Sequence, residues 1–161
     1  MKKITLFTII FFITVILSSC NKILSPPSIE DVETKFLDNY EDIMTVTNFL
    51  AQSEYRSIYI HDTSGIMAVG TSHIPISDSS VTNAIQRLHT KGYTIIIRTG
   101  NTIYFQQWTR LMDAGCGIAY SINHNRQPEI QYLTELIPLS QSGWYYYVDD
   151  YEQWRSQHSN T

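Results

Sequence analysis

Two cysteines, Cys20 and Cys116, are the residues of this 161-residue chain with the most obvious chemistry. A cysteine beside a histidine can act as a thiolate nucleophile or a redox centre. His124 follows Cys116 by eight residues, on the same face of a strand, but eight strand residues span ~26 Å, beyond hydrogen-bond reach. The pattern therefore favours Cys116 as a small buried hydrophobic residue. A thiol-dependent enzyme or redox protein using Cys116 is the alternative.

Metal and cofactor chemistry has little support in the sequence. The histidines are scattered, and none forms a closely spaced pair typical of zinc motifs: His61, His73, His89, His124 and His158. Asp149, Asp150 and Glu152 lack the spacing of a calcium loop, which favours a solvated acidic turn. Phosphate-binding, nucleophile-elbow and metalloprotease motifs are missing. We predict no catalytic residue, no metal and no cofactor, and a binding protein rather than an enzyme.

The segment near the C-terminus is rich in aromatic residues. In a strand, Trp144 and Tyr146 face one way and Tyr145 and Tyr147 the other, so one set fills the core. The other set can form a binding patch, because tyrosine and tryptophan combine contact area with a polar tip. We predict the following residues as partner-binding: Tyr145, Tyr147, Tyr151 and Trp154. Two alternatives stay open: Tyr145 and Tyr147 simply pair across strands, as aromatic residues commonly do to stabilise a sheet, or this strand is a glycan-binding or small-ligand-binding module.

The N-terminus has the layout of an export signal. Lys2 and Lys3 precede an apolar run over residues 4–17, and Leu17-Ser18-Ser19-Cys20 follows. Fourteen apolar residues span only ~21 Å as a helix, short of the ~30 Å hydrocarbon core. The segment Leu17–Cys20 resembles the lipobox of bacterial lipoprotein precursors.

That resemblance implies export, cleavage before Cys20 and a lipid anchor on the Cys20 thiol. In Gram-negative lipoproteins similar to this one, Asn21 rather than aspartate favours the outer membrane. We therefore predict a signal peptide over residues 1–19, a lipid-anchored tether over 20–27 and one domain over 28–157. The tether residues Asn21–Pro27 reach at most ~25 Å, so the domain is expected close to its bilayer.

Charge and cysteine content restrict the partners. Loss of Lys2 and Lys3 with the signal peptide leaves nine basic against 15 acidic side chains, a net charge of −6. An acidic chain without a basic cluster argues against nucleic acid and against electrostatic membrane binding. Membrane attachment would come from the covalent lipid, and the expected partner is another envelope protein. With Cys20 lipidated, Cys116 has no disulfide partner within the chain.

Hydrophobic periodicity predicts an α+β domain: a mainly antiparallel sheet of about five or six strands with two helices packed on it, in the order α-β-β-α-β-β-β(-β). Ser28 caps a long helix ending near Gln52, and a second helix spans about Ser80–Lys91. The predicted strands are Ser57–His61, Ile66–Val69, Tyr93–Arg98, Thr102–Trp108, Cys116–Ile122 and Trp144–Val148. Residues 70–77 are predicted as a loop, and residues 129–139 fit either a strand or a short helix. The small side chains of Gly117, Ala119 and Ser121 are expected to admit a close helix, or alternatively a ligand.

Overall fold

The structure, a computed structural model, describes residues 25–110 and 113–159. The predicted signal peptide, the lipobox with Cys20 and the first residues of the tether lie outside the described residues. Within the described part of the chain, no helix is both long enough and apolar enough to cross a membrane.

The described residues form one antiparallel sheet with helices, which confirms the α+β class. The sheet order is β3-β2-β1-β4-β5-β6-β8-β7, and every neighbouring pair is antiparallel. The strands are β1 (Ser57–Ile60), β2 (Ile66–Val69), β3 (Ser72–Pro75), β4 (Ile95–Thr99), β5 (Thr102–Arg110), β6 (Ala114–Ser121), β7 (Leu133–Pro138) and β8 (Trp144–Asp150). The predicted count of five or six strands was wrong, because the described residues contain eight. Part of the predicted loop over residues 70–77 is the edge strand β3, and residues 129–139 contain the strand β7.

The predicted count of two helices was also wrong, because the described residues contain four: α1 (Ile29–Asp38), α2 (Tyr40–Gln52), α3 (Ser79–Thr90) and α4 (Tyr151–His158). The long helix predicted over residues 28–52 is broken at Asn39. The Asn39 side-chain amide donates to the Lys35 carbonyl oxygen at 2.8 Å, and its backbone N–H donates to the Phe36 carbonyl oxygen at 3.2 Å. These bonds satisfy carbonyls at the end of α1, so α1 and α2 are separate helices.

The core lies between one face of the sheet and the helices α1, α2 and α3. The apolar stripes of these helices and the inward residues of β1, β2, β4, β5, β6 and β8 belong to one buried cluster. Phe36 of α1 contacts Trp144 of β8, with ring centroids 4.8 Å apart. Cys116 and Ile118 of β6 face this core. We call this side of the sheet the helix face and the opposite side the open face.

A buried arginine joins α2 to the sheet. Arg98 of β4 is 8% exposed, and its guanidinium donates to the carbonyl oxygen of Leu50 and, at 2.7 Å, to that of Ser53. These carbonyls lie at the C-terminal end of α2, where backbone acceptors lack helical partners and a positive charge is favoured. Arg98 therefore fixes the end of α2 over the centre of the sheet.

The open face is partly covered by the connection between β6 and β7, residues 122–132. The backbone N–H of Glu129 donates to the Thr102 hydroxyl at 2.8 Å, and Pro128 is buried. Further along, the Tyr132 carbonyl accepts from the Asp150 N–H at 3.0 Å. The connection thus crosses the open face near β5 and β8 and leaves the surface over β1 and β2 uncovered.

Candidate functional site

Aromatic and aliphatic side chains line much of the open face. One cross-strand row runs through all eight strands: His73, Ala68, Tyr59, Ile97, Tyr104, Ala119, Tyr145 and Pro138. Tyr59 is 37% exposed, and Ile66, on the same face of β2, is 39% exposed. Large hydrophobic side chains exposed together on a sheet face are typical of an interaction surface.

A cleft of about 310 Å³ opens on this face beside residues 130–132. We call it the Asp149 cleft, after the carboxylate that lines it. Ile95 and Ile97 of β4 and Ile130 of the connection supply apolar walls. Ligand sites in proteins typically combine such apolar walls with a few placed polar groups.

The polar residues that line the Asp149 cleft include Asp149 of β8 and Gln106 of β5, and the strand between them is β6. Gly115 of β6 pairs with Asp149, and a Cβ atom on Gly115 would lie 2.7 Å from Asp149 Oδ1 and collide with the Gln106 amide nitrogen. The absence of a side chain at Gly115 therefore gives the carboxylate and the carboxamide room above the strand.

The small residues of β6 do not receive a helix, contrary to the sequence prediction. Gly117, Ala119 and Ser121 point to the open face, whereas the helices pack on the face of Cys116 and Ile118. The two faces of β6 were recognised from the alternation of its residues. Which of them the helices cover depends on contacts distant in sequence.

The Asp149 carboxyl is half-buried, and this burial raises its pKa to about 6. Its own backbone N–H opposes the shift, and the neighbouring Asp150 charge adds to it. Within residues 25–110 and 113–159, the arginine–aspartate ion pairs are Arg87 with Asp42 and Arg110 with Asp113 and Asp150, and none includes Asp149. At neutral pH the cleft therefore contains an ionised carboxylate that no described cation neutralises.

Two tyrosines lie beside this carboxylate. Burial raises the pKa of Tyr104 to about 12, and the pKa of the fully buried Tyr147 is also raised. Their rings meet edge to face with centroids 5.6 Å apart, across the strand β6 that separates them. Both phenols stay neutral at neutral pH, and Tyr104, the one that lines the cleft, offers it a hydroxyl group and a ring face rather than charge.

Tyr132 closes one side of the Asp149 cleft in an unusual backbone conformation. Its φ is 57°, in the left-handed region that non-glycine residues rarely adopt. The Tyr132 ring contacts Tyr151 and Trp154 of α4, at centroid distances of 4.9 and 5.4 Å. Packing against α4 therefore holds this strained residue at the edge of the cleft.

The four predicted partner-binding residues do not form one patch. Tyr145 is half-buried on the open face, whereas Tyr147 is 0% exposed and cannot touch a partner in this conformation. Tyr151 and Trp154 lie on α4, where both contact the ring of Tyr132 from the connection before β7. Tyr147 contacts Tyr104 of β5 across β6, an aromatic contact between strands in line with the alternative of cross-strand packing.

Cys116 lies on the helix face and is fully buried. Burial raises the pKa of its thiol to about 11, against a smaller opposing effect of the neighbouring Tyr146 hydroxyl. His124 contacts the Tyr120 hydroxyl at 3.1 Å instead. A thiol that is inaccessible and protonated at neutral pH is not an activated nucleophile, so the geometry gives no support to thiol chemistry.

The other sequence candidates are dispersed. His61 stacks on Tyr59, with centroids 5.9 Å apart, and His158 stacks on Trp154. Asp150 caps α4 by accepting the Gln153 N–H at 2.9 Å. Among the described residues, no three His, Cys, Asp or Glu side chains converge in the manner of metal ligands.

The sequence interpretation assigned Asp149 to a solvated acidic turn and missed Gln106, Tyr104 and Tyr132. The alternation of β8 does place Asp149 on the same face as Tyr145 and Tyr147. A carboxylate continuing an aromatic strand face is a detectable signal, but the neighbours that complete the cleft come from β5 and the connection. Comparison with family models, curated proteins and solved structures gave no match for this chain. Function is therefore inferred from the geometry of this face.

Proposed function

We propose that this protein is a lipid-anchored, non-catalytic binding domain of a bacterial cell envelope, and that it holds another envelope protein on its open face. The observation that supports this most directly is the open face itself. It exposes Tyr59 and Ile66 beside the Asp149 cleft. Such an apolar surface next to a single polar group, the Asp149 carboxylate, resembles the centre of a protein interface.

The proposed anchor rests on the resemblance of Leu17–Cys20 to a lipobox. Lipid on Cys20 would attach the protein to the cell membrane, or to the outer membrane in a Gram-negative envelope. Cys20 lies five residues before Ser25, a reach of at most ~18 Å. The partner is then a protein within or beside the same membrane.

The position of the tether is compatible with an accessible open face. The Tyr146 hydroxyl donates to the Pro27 carbonyl oxygen at 3.2 Å, and Tyr146 points to the helix face. The chain between the proposed anchor and the domain therefore joins on the side opposite to Tyr59 and Ile66.

Site-specific crosslinking in living cells tests the proposed interface. A photoreactive p-benzoylphenylalanine in place of Tyr59 is expected to give one discrete crosslinked protein, identified by mass spectrometry. The same group in place of Leu37, which is 47% exposed on α1, is the matched control and should not give that product. The Tyr59 product should disappear when Ile66→Asp is added and persist with Leu37→Asp. Equal products from both positions, or a product indifferent to Ile66→Asp, would refute the open-face interface.

The anchor has its own test. Cys20→Ser should move the protein out of the membrane fraction, because the substitution removes the thiol that receives the lipid. Retention of this variant in the membrane fraction would refute anchoring through Cys20, and the crosslinking result would still decide the interface separately.

A further inference from the structure

We propose that the Asp149 cleft binds a primary alkylammonium group, the end of a lysine side chain on the protein partner. The inference rests on the proposed binding function and specifies the chemistry of its recognition. The observations that carry it are an unpaired carboxylate, the acceptors around it and the apolar walls that lead to it.

The first observation is the unpaired charge of Asp149. A half-buried carboxylate is unfavourable unless a cation or several hydrogen-bond donors accompany it. Arg110, which lies at the same end of the sheet, is engaged with Asp113 and Asp150, at 3.3 and 3.0 Å. A cation brought by a partner would complete the site, whereas an anion would be repelled.

The second observation is the arrangement of acceptors. Gln106 and Tyr104 line the same cleft as Asp149. The amide nitrogen is the end of Gln106 that lies beside Asp149, so the acceptors at this point are the Asp149 carboxylate and the Tyr104 hydroxyl. An ammonium group has three N–H donors that point in different directions, which suits separate acceptors, whereas a planar guanidinium is best matched by one bidentate carboxylate. The rings of Tyr104 and Tyr132 also offer faces on which a cation can pack.

The third observation is the shape of the approach. Ile95, Ile97 and Ile130 form apolar walls in a volume of about 310 Å³. A lysine side chain needs such walls for its four methylene groups while its charged end reaches a polar group. Gly115 leaves space beside the carboxylate, because a Cβ atom at this position would lie 2.7 Å from Asp149 Oδ1.

A titration followed by amide NMR tests the inference on the isotope-labelled full-length protein in a non-ionic maltoside detergent. The probe is Nα-acetyl-lysine methylamide, and the matched neutral ligand is the same compound acetylated on its side-chain amine. We expect the charged probe to shift the amide signals of Gln106, Tyr132 and Asp149, and the neutral ligand to bind about tenfold more weakly.

Two aspartate variants locate the effect. Asp149→Asn should lower the affinity for the charged probe about tenfold and leave the affinity for the neutral ligand unchanged. Asp113→Asn removes the same charge at the same end of the sheet but outside the cleft, and it should bind as the wild type does. Well-dispersed spectra of both variants would establish that they are folded.

The inference is overturned if Asp149→Asn binds the charged probe as tightly as the wild type, or if the signals that shift lie away from the cleft. It is also overturned if Nα-acetyl-arginine methylamide binds more tightly than the lysine probe. A failed titration with an intact Tyr59 crosslink would reject the ammonium chemistry alone. Loss of the crosslink with a successful titration would reject the open-face interface instead.

Discussion

Replacing Asp149 with asparagine should stabilise the protein at neutral and alkaline pH. Burial raises the pKa of Asp149 from 3.8 to about 6, with a smaller effect of the Asp150 charge. Folding therefore favours the protonated carboxyl. Well below pH 4 the carboxyl is protonated in both states and imposes no penalty, whereas above about pH 6 the folded state must hold an ionised, half-buried group. The neighbouring phenols, Tyr104 and Tyr147, stay neutral over this range.

The magnitude follows from the two pKa values. Each pKa unit corresponds to ~1.4 kcal/mol, so a fully buried group with this shift would lower the free energy of unfolding by ~3 kcal/mol. Solvent still reaches part of the Asp149 side chain, and its screening reduces the expected effect to ~1–2 kcal/mol. Asp149→Asn keeps the shape of the side chain and removes the charge. We therefore expect a gain of ~1–2 kcal/mol near pH 8 that falls below roughly 0.5 kcal/mol near pH 4.

Urea unfolding of the full-length protein in maltoside, followed by circular dichroism near pH 8 and near pH 4, measures this difference. The control is Asp150→Asn, the same change one residue further on. Asp150 pairs with Arg110 at 3.0 Å, so this variant should lose up to ~1 kcal/mol rather than gain stability near pH 8.

Two results would refute the reasoning. A loss of stability in Asp149→Asn near pH 8 would mean that the carboxylate makes favourable contacts in the folded state. A gain of equal size near pH 4 would mean that the asparagine stabilises by packing and that ionisation is irrelevant.

Three further predictions concern the framework around the cleft. Arg98→Met should lower the free energy of unfolding by ~2–4 kcal/mol, because it leaves the carbonyl oxygens at the end of α2 without their hydrogen-bond donor. Urea unfolding measures this change, and Lys91→Met, at an exposed position, is the control. Cys116 in the folded protein should resist N-ethylmaleimide and react once urea unfolds the chain, as detected by mass spectrometry of its peptide; rapid labelling of the folded state would contradict its burial. Gly117→Ala should cost ~2–3 kcal/mol in urea unfolding, since its Cβ would collide with the Phe105 carbonyl oxygen, and an unchanged midpoint would contradict this geometry.

The elements that the sequence predicted correctly carry local signals. The Ser28 hydroxyl accepts the Asp31 N–H at 3.2 Å, as its capping pattern indicated. Asp78 caps α3 by accepting the Ser80 N–H at 2.8 Å. Gly100 lies between β4 and β5 with φ 55°, the conformation that a tight hairpin turn requires. Each of these features is determined within a few neighbouring residues.

The missed elements lack such a signal or contain an irregularity. The strand β3 has only four residues and ends in Pro75, which is tolerated because β3 lies at the edge of the sheet. In β7, the register against β8 shifts between Leu133 and Glu135. This bulge breaks the alternation of a strand, which explains why residues 129–139 also fitted a short helix.

The strand β8 illustrates why the aromatic residues were the weaker guide to the site. Tyr145, Tyr147 and Asp149 share the open face by strict alternation. An aromatic ring gains free energy when any neighbouring segment covers it, so Tyr147 is buried beside Tyr104 without requiring a ligand. An aspartate on the same face of β8 gains no free energy from being covered, yet Asp149 is half-buried and has no described cation as a partner. A polar group held in an unfavourable position is therefore more informative about binding than the apolar groups around it.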